Sequence, residues 1–185
     1  MSATERNSDC RPRASLNCEQ LEPRCTPAGG NVNVFISNGT LFVVGDAADN
    51  AVTTRQDQFG NIIIAGVFGT TVNGQQVIML PPFIPTNAVF AGGFGNDQID
   101  VSGLQVANSL LVSGGPGNDL VTLRDGVMAN FITVATHDGN DVLIANNVAA
   151  RVGMQIDGGP GFDTAMLRNI FAGSFFFHNN FERFV

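Results

Sequence analysis

The chain has 185 residues, 44% of them hydrophobic, which is enough for one domain, and it holds no apolar run long enough to cross a membrane as a helix. Its nine basic residues, all arginine, stand against 16 acidic ones for a net charge of −7, and residues 88–185 alone carry nine acids and four arginines. That balance argues against nucleic acid, whose phosphates need a basic surface, and points to a cation or a basic surface as partner.

Residues 1–30 are polar, rich in Arg, Ser and Pro, and without periodicity, so a disordered leader is expected. No apolar h-region follows the charges, which rules out an ordinary cleavable secretory signal. Cys10, Cys18 and Cys25 are spaced by eight and seven residues, match no zinc or thioredoxin motif and are odd in number. They read as adventitious thiols. The segment from Leu16 to Ala28, with Leu21-Glu22-Pro23-Arg24 near its centre, resembles the short Leu-Glu-x-Arg leader that opens many large surface or exported proteins of planctomycete bacteria. The resemblance implies an extracellular or cell-surface address and says nothing of activity.

Residues 31–65 form an N-terminal β segment. Val32 to Ile36 alternates, Asn38-Gly39 is a two-residue hairpin turn, and Leu41 to Val44 follows. Gly45-Asp46-Ala47-Ala48-Asp49-Asn50 is the next turn, whose two aspartates read as solvating caps rather than as an ion loop. A second strand pair, Val52–Gln56 and Asn61–Ala65, flanks Asp57-Gln58-Phe59-Gly60.

From residue 66 to 185 the chain reads as a β-solenoid with an aromatic C-terminal cap. One motif recurs: Gly92-Gly93-Phe94-Gly95-Asn96-Asp97, Gly114-Gly115-Pro116-Gly117-Asn118-Asp119, Thr136-His137-Asp138-Gly139-Asn140-Asp141 and Gly158-Gly159-Pro160-Gly161-Phe162-Asp163. The starts fall 22 residues apart without slippage, which marks a repeat architecture. Apolar columns keep the same register: Ala88/Leu110/Ile132/Met154/Phe176 and Phe90/Val112/Val134/Ile156/His178 before the motif, Ile99/Val121/Leu143/Ala165 and Val101/Leu123/Ala145/Leu167 after it. Spacing of two within each pair predicts two short strands per coil, joined by the tight glycine turn and a looser one. The fold class is therefore all-β, a parallel, β-roll-like solenoid with 22-residue coils after a hairpin-rich segment. Gly95, Gly117, Gly139 and Gly161 hold one place in every coil, as a turn requires where backbone reaches positive φ or passes close to a ligand.

Extended backwards, the register sets Thr70 to Gln75 one coil before Gly92 to Asp97, with Asn73 at the positive-φ place and Val77 and Met79 in the apolar columns. Pro81-Pro82-Phe83-Ile84-Pro85 then reads as an outer turn bulging from the solenoid. Six phenylalanines, among them Phe171, Phe176, Phe181 and Phe184, crowd the C-terminal residues and are read as a cap over the open end.

Stacked coils place Asp97, Asp119, Asp141 and Asp163 in a ladder. Two unit charges about 5 Å apart repel by roughly 3 kcal/mol at an effective dielectric near 20, and a hard divalent cation between the loops reverses the sign. The motifs resemble the haemolysin-type, or repeats-in-toxin, calcium-binding repeat Gly-Gly-x-Gly-x-Asp-x-U-x, in which U is a large apolar residue. Ile99, Val121 and Leu143 fill U, Ala165 less well. The resemblance covers residues 92–163 and implies a calcium-binding β-roll module of an exported bacterial protein with a structural or interaction role. It implies calcium between successive loops, held by Gly93, Gly95, Asp97, Gly115, Gly117, Asp119, Gly139, Asp141, Gly159, Gly161 and Asp163. The family sets a motif every nine residues on both edges of the roll; here one motif per coil confines binding to one edge. The alternative is a metal-independent β-solenoid scaffold or adhesin fragment whose aspartates bond their own turns.

No enzyme is expected. His137 and His178 are the only histidines and neither neighbours a nucleophile motif. Asp100 and Asp125 invite comparison with the paired acids of polysaccharide-cleaving β-helices, but they lack partners in equivalent coils and read as solvated turn acids.

Overall fold

The structure, a computed structural model, describes residues 29–185, so the leader and the three cysteines lie outside the described residues. Strand β1 (Asn31–Ser37) folds back antiparallel on β2 (Thr40–Val44). The turn residues Asn38 (φ 48°) and Gly39 (φ 72°) are both left-handed, the tight turn that Asn-Gly favours. Strands β3 (Ala51–Gln56) and β4 (Ile62–Gly66) make the second expected antiparallel pair. A two-residue strand β5 (Thr71–Val72) joins β1, and β6 (Val77–Leu80) adds to the outer edge of β4.

Then the coils begin to stack. Strands β7 (Asn87–Ala91), β8 (Gln98–Ser102) and β9 (Ser109–Ser113) are followed by the long β10 (Leu120–Ala135) and β11 (Val142–Asp157), then β12 (Thr164–Ala172), β13 (Phe175–Asn179) and β14 (Arg183–Phe184). Pairing is parallel and 22 residues apart: Ile99 lies beside Val121, then Leu143, then Ala165, and Leu110 beside Ile132, Met154 and Phe176. Like residues therefore stack above like, and these columns are the core. The protein is a parallel β-solenoid.

Two expectations about the coil are corrected. The stretch read as a loose turn is a third side: β10 and β11 run on for 16 residues each, and Val127, Ala129, Val148 and Ala150 are buried with Leu104 and Val106. The ladder slips between Arg124 and Val127 and again between Ala129 and Phe131, where the chain rounds its corners. The first corner puts a left-handed residue in each coil, Gly103, Asp125 (followed by left-handed Gly126), Asn147 and Asn169, types whose short or absent side chains tolerate that region.

The second correction concerns the backward register. β2 pairs with β7 and β3 with β8, so the turn stacked under Gly92–Asp97 is Gly45–Asn50. Phe94 N–H donates to the Asp46 carbonyl at 3.2 Å, and Gly45 N–H to the Ala91 carbonyl at 2.7 Å. Thr70–Gln75 is elsewhere. Val72 and Gln75 close that turn by mutual backbone bonds, and Val77 and Met79 are exposed rather than in the core columns. Counting in steps of 22 fails here because β4, β5, β6 and the proline segment form an excursion between β3 and β7. Asn73 does adopt positive φ (51°), and its amide clamps the backbone of Val34 at 2.8 and 2.9 Å.

The aromatic cap is partial. Phe181 packs on the core edge and Phe184 stacks edge-on against His178, but Leu167, Ile170, Ala172 and Phe176 still line an open groove of about 360 Å³.

Candidate functional site

The glycine turns bring Asp97, Asp119, Asp141 and Asp163 into one column along a single edge, each almost wholly buried (0 to 2% exposed). Each carboxylate reaches back one coil. Oδ1 of Asp97 accepts the N–H of Asn50, Asp119 that of Asp97, Asp141 that of Asp119, and Asp163 that of Asp141, all at 2.7 Å. The aspartates thus bond the equivalent residue of the preceding coil, not their own turn. An outer row runs the opposite way: Asn96, Asn118 and Asn140 accept the N–H of residues 118, 140 and 162 at 2.8 to 2.9 Å. Neighbouring turns are stitched in both directions.

The second carboxylate oxygen is a different matter. Oδ2 of all four aspartates is buried and makes no hydrogen bond of normal geometry, although the Asn50 amide beside Asp97 and the Thr136 hydroxyl beside Asp141 are near enough to favour the ionised carboxylate. A Cβ on Gly92, Gly114 or Gly158 would fall within 2.2 to 2.6 Å of that oxygen, so the first glycine of the motif is the room the carboxylate occupies. Burial is the leading cause that pushes the Asp97 carboxyl up to about 6 and that of Asp119 up to about 7; Asp141 and Asp163 are raised for the same reason. In each case the bonded N–H works against the rise, and neighbouring carboxylates add to it.

The remaining glycines answer to stacking. A Cβ on Gly117 (φ 145°) would lie 1.8 Å from the Gly95 carbonyl oxygen, and Gly139 and Gly161 meet the carbonyl below them still more closely. Gly93, Gly115 and Gly159 likewise face carbonyls of Asp46, Gly93 and His137. Carbonyl oxygens are thereby set between coils all along the edge. The third loop departs from the pattern: Thr136 is buried and its hydroxyl donates to the Gly158 carbonyl at 2.8 Å, while His137 takes a glycine's left-handed place (φ 71°).

Two rungs escaped the sequence reading. Asn50 is the rung below Asp97, with its amide donating to the Ala48 carbonyl at 2.6 Å and to Asp46 Oδ1 at 3.1 Å. Its frame, a glycine five residues before a terminal Asn, was legible, but 47 residues separate it from Asp97, which is not a multiple of 22. Glu182 is the rung above Asp163, accepting its N–H at 2.6 Å, and lies 19 residues on because the last turn is shorter. His137 Nε2 meets Ser113 Oγ at 3.0 Å beside a shallow groove, a pair 24 residues apart with no motif to announce it.

Asp100 and Asp125 do come together, on Arg124, whose guanidinium bonds Asp100 at 2.9 and 3.0 Å and Asp125 at 2.6 Å. The pair thus meets as two acids on one exposed arginine, a surface ion-pair cluster that keeps a net negative charge. His178 sits apart, between the rings of Phe176 and Phe184.

Among the described residues no group of three or more His, Cys, Asp or Glu converges on one point. Each rung presents one unbonded carboxylate oxygen, and the stacked glycine turns present backbone carbonyls between coils, oxygen donors of the type that hard cations take. No protein-family profile matches the chain, and neither curated proteins nor solved structures give a match.

Proposed function

We propose that this chain is a calcium-binding β-solenoid module of an exported or cell-surface protein, serving as a structural or interaction element. The observation that carries the reading is the column of four buried carboxylates, each with Oδ1 bonded and Oδ2 left without a partner. A buried unpaired charge costs several kcal/mol, and four in one line are tolerable only if neutralised. Asp97, Asp119, Asp141 and Asp163, with the carbonyls of Gly93, Gly95, Gly115, Gly117, Gly139, Gly159 and Gly161, would hold the ion. Its chemistry is charge neutralisation, which ties one coil to the next.

A second reading, a scaffold that needs no metal, is favoured by the first turn. There Asn50 fills the aspartate's place, and its amide nitrogen, not an ion, satisfies the Ala48 carbonyl. A protonated aspartic acid has the same donor to offer. Calorimetric titration of chelator-treated protein separates the two. Calcium binding gives saturable heat with more than one ion per chain, and magnesium competes weakly because it demands tighter octahedral geometry. Absence of heat leaves the metal-free scaffold.

A further inference from the structure

One side of the solenoid carries almost no charge. Strands β1, β2, β7 and β9, residues 131–135 of β10, residues 153–157 of β11, and β13 lie side by side in one continuous sheet. These strands hold no arginine and a single acid, Asp157 at the margin, whose carboxylate accepts the Gly159 N–H at 3.2 Å and the Asn180 amide at 2.9 Å. Arg55, Asp100, Arg124 and Arg168 all stand on the strands of another side. Alternate residues of the uncharged sheet point outward, and there it is apolar at both ends and in the middle. Phe35 is stacked on Phe42 with ring centroids 4.8 Å apart, Phe175 lies between Phe131 and Phe177 at 6.5 and 5.3 Å, and Leu111 stands midway. Phe35, Leu111, Phe131 and Phe177 are 50, 37, 39 and 60% exposed. With side chains of roughly 200 Å² each, these four alone expose about 350 Å², the scale of patches that mark interaction sites.

From these features we infer that this lateral side is a self-association surface, on which two copies pack sheet against sheet about a two-fold axis parallel to the strands and level with β9. Three strands lie on either side of β9, so the axis reverses their order. Leu111 then meets its own mate, and Phe35 at one end of the first copy meets Phe177 at the far end of the second, the two sheets about 10 Å apart. Seven strands about 4.8 Å apart, each contributing five residues of about 3.3 Å, make a side of roughly 34 by 17 Å, near 550 Å² in projection. Side-chain relief raises this toward the roughly 600 to 800 Å² per partner of a stable interface. Charge selects a second copy as the occupant. Each chain carries a net charge of −7, so two copies repel on every side except the one with no charge to oppose. A basic partner gains no ion pair there, and a sugar chain finds neither Tyr nor Trp to stack on.

The test is the mass of the 185-residue chain in solution, by sedimentation velocity between about 1 and 100 μM, run with chelator and again with calcium so that the outcome does not depend on metal. The expected result is a monomer–dimer equilibrium in both. Leu111→Glu and Leu111→Arg each set like charges against each other on the axis and weaken the dimer at least about tenfold, whereas Met79→Glu, exposed on another side, leaves it unchanged. Mixing the Glu and Arg variants restores the dimer, because opposite charges then meet across the axis. Circular dichroism on each variant establishes that the fold survives; if either unfolds, Phe177→Glu and Phe35→Arg, weak alone and restored when mixed, take their place. A parent that stays monomeric at 100 μM overturns the inference, and its flotation with neutral phosphatidylcholine vesicles would give the side to lipid instead. A dimer indifferent to charge at Leu111 and at Phe177, or variants that do not recover on mixing, overturns it equally.

Discussion

Replacing Asp119 by asparagine alters one group on an interior rung. The carboxyl is buried, gives Oδ1 to the Asp97 N–H and leaves Oδ2 unpartnered. Burial, ahead of the charges of Asp97 and Asp141, pushes it up to about 7. Against an unfolded value near 3.9, holding it ionised above pH 7 destabilises the fold by roughly 4 kcal/mol at face value. The turn lies at the rim of the solenoid, so solvent screening brings this to about 2 kcal/mol. Asparagine keeps the Oδ1 acceptor and puts an N–H₂ where Oδ2 stood; one turn below, the Asn50 amide nitrogen in that place donates to the Ala48 carbonyl, although Asn50 Oδ1 itself has no partner. In chelator at pH 8 the variant should therefore gain about 1 to 2 kcal/mol, a rise in Tm of about 2 to 8 °C for a chain of this size. In calcium the order inverts, because an interior rung serves the ions on both sides and the lost affinity subtracts from the folded state. Asp163→Asn, at a terminal motif, should lose less in calcium than Asp119→Asn. Thermal melts of parent and both variants with calcium and with chelator measure this. If Asp119→Asn destabilises equally in both, the carboxylate is an ordinary turn cap, and the argument from an unpartnered Oδ2 fails.

Other expectations follow from the same geometry. In chelator the parent should be more stable at pH 5 than at pH 8, because carboxyls with raised folded values hold protons that the unfolded chain releases, so stability falls as pH climbs from about 4 through the folded values of about 6 and 7 at Asp97 and Asp119; a denaturant titration at each pH reads it, and a rise of stability with pH contradicts it. Gly117→Ala should cost at least about 3 kcal/mol, since its Cβ would meet the Gly95 carbonyl at 1.8 Å, whereas Gly126→Ala, left-handed but with nothing within 4 Å, should cost only about 1 kcal/mol; paired urea melts compare them, and equal losses would show that backbone conformation, not stacking, demands the glycine. Glu182→Ala should free the Asp163 N–H and fray the last coil by about 1 to 2 kcal/mol, seen as faster hydrogen exchange at that amide with the exchange of Asp119 unchanged.

The sequence by itself determined the period, the inward columns and the identity of the rungs. An uninterrupted repeat of 22 leaves one stacking register, and alternation by two within it leaves one inward face, so Leu110, Ile132 and Met154 had to meet. It named Asp97, Asp119, Asp141 and Asp163 for the same reason. What it left undecided was everything that depends on how coils touch. The third side, Val127 to Ala129 beneath Val148 to Ala150, was hidden because its corner residue changes from Gly103 to Asp125 to Asn147 and the ladder slips by one. Asn50 and Glu182 were hidden because an excursion before the repeat and a short last turn break the count, while the backbone still brings them to the ends of the ladder. The direction of each carboxylate was hidden as well. Only the stacked backbone, offering one N–H to Oδ1 and, at Asp97, Asp119 and Asp163, a glycine α-carbon beside Oδ2, decides that one oxygen of each rung is bonded and the other is not.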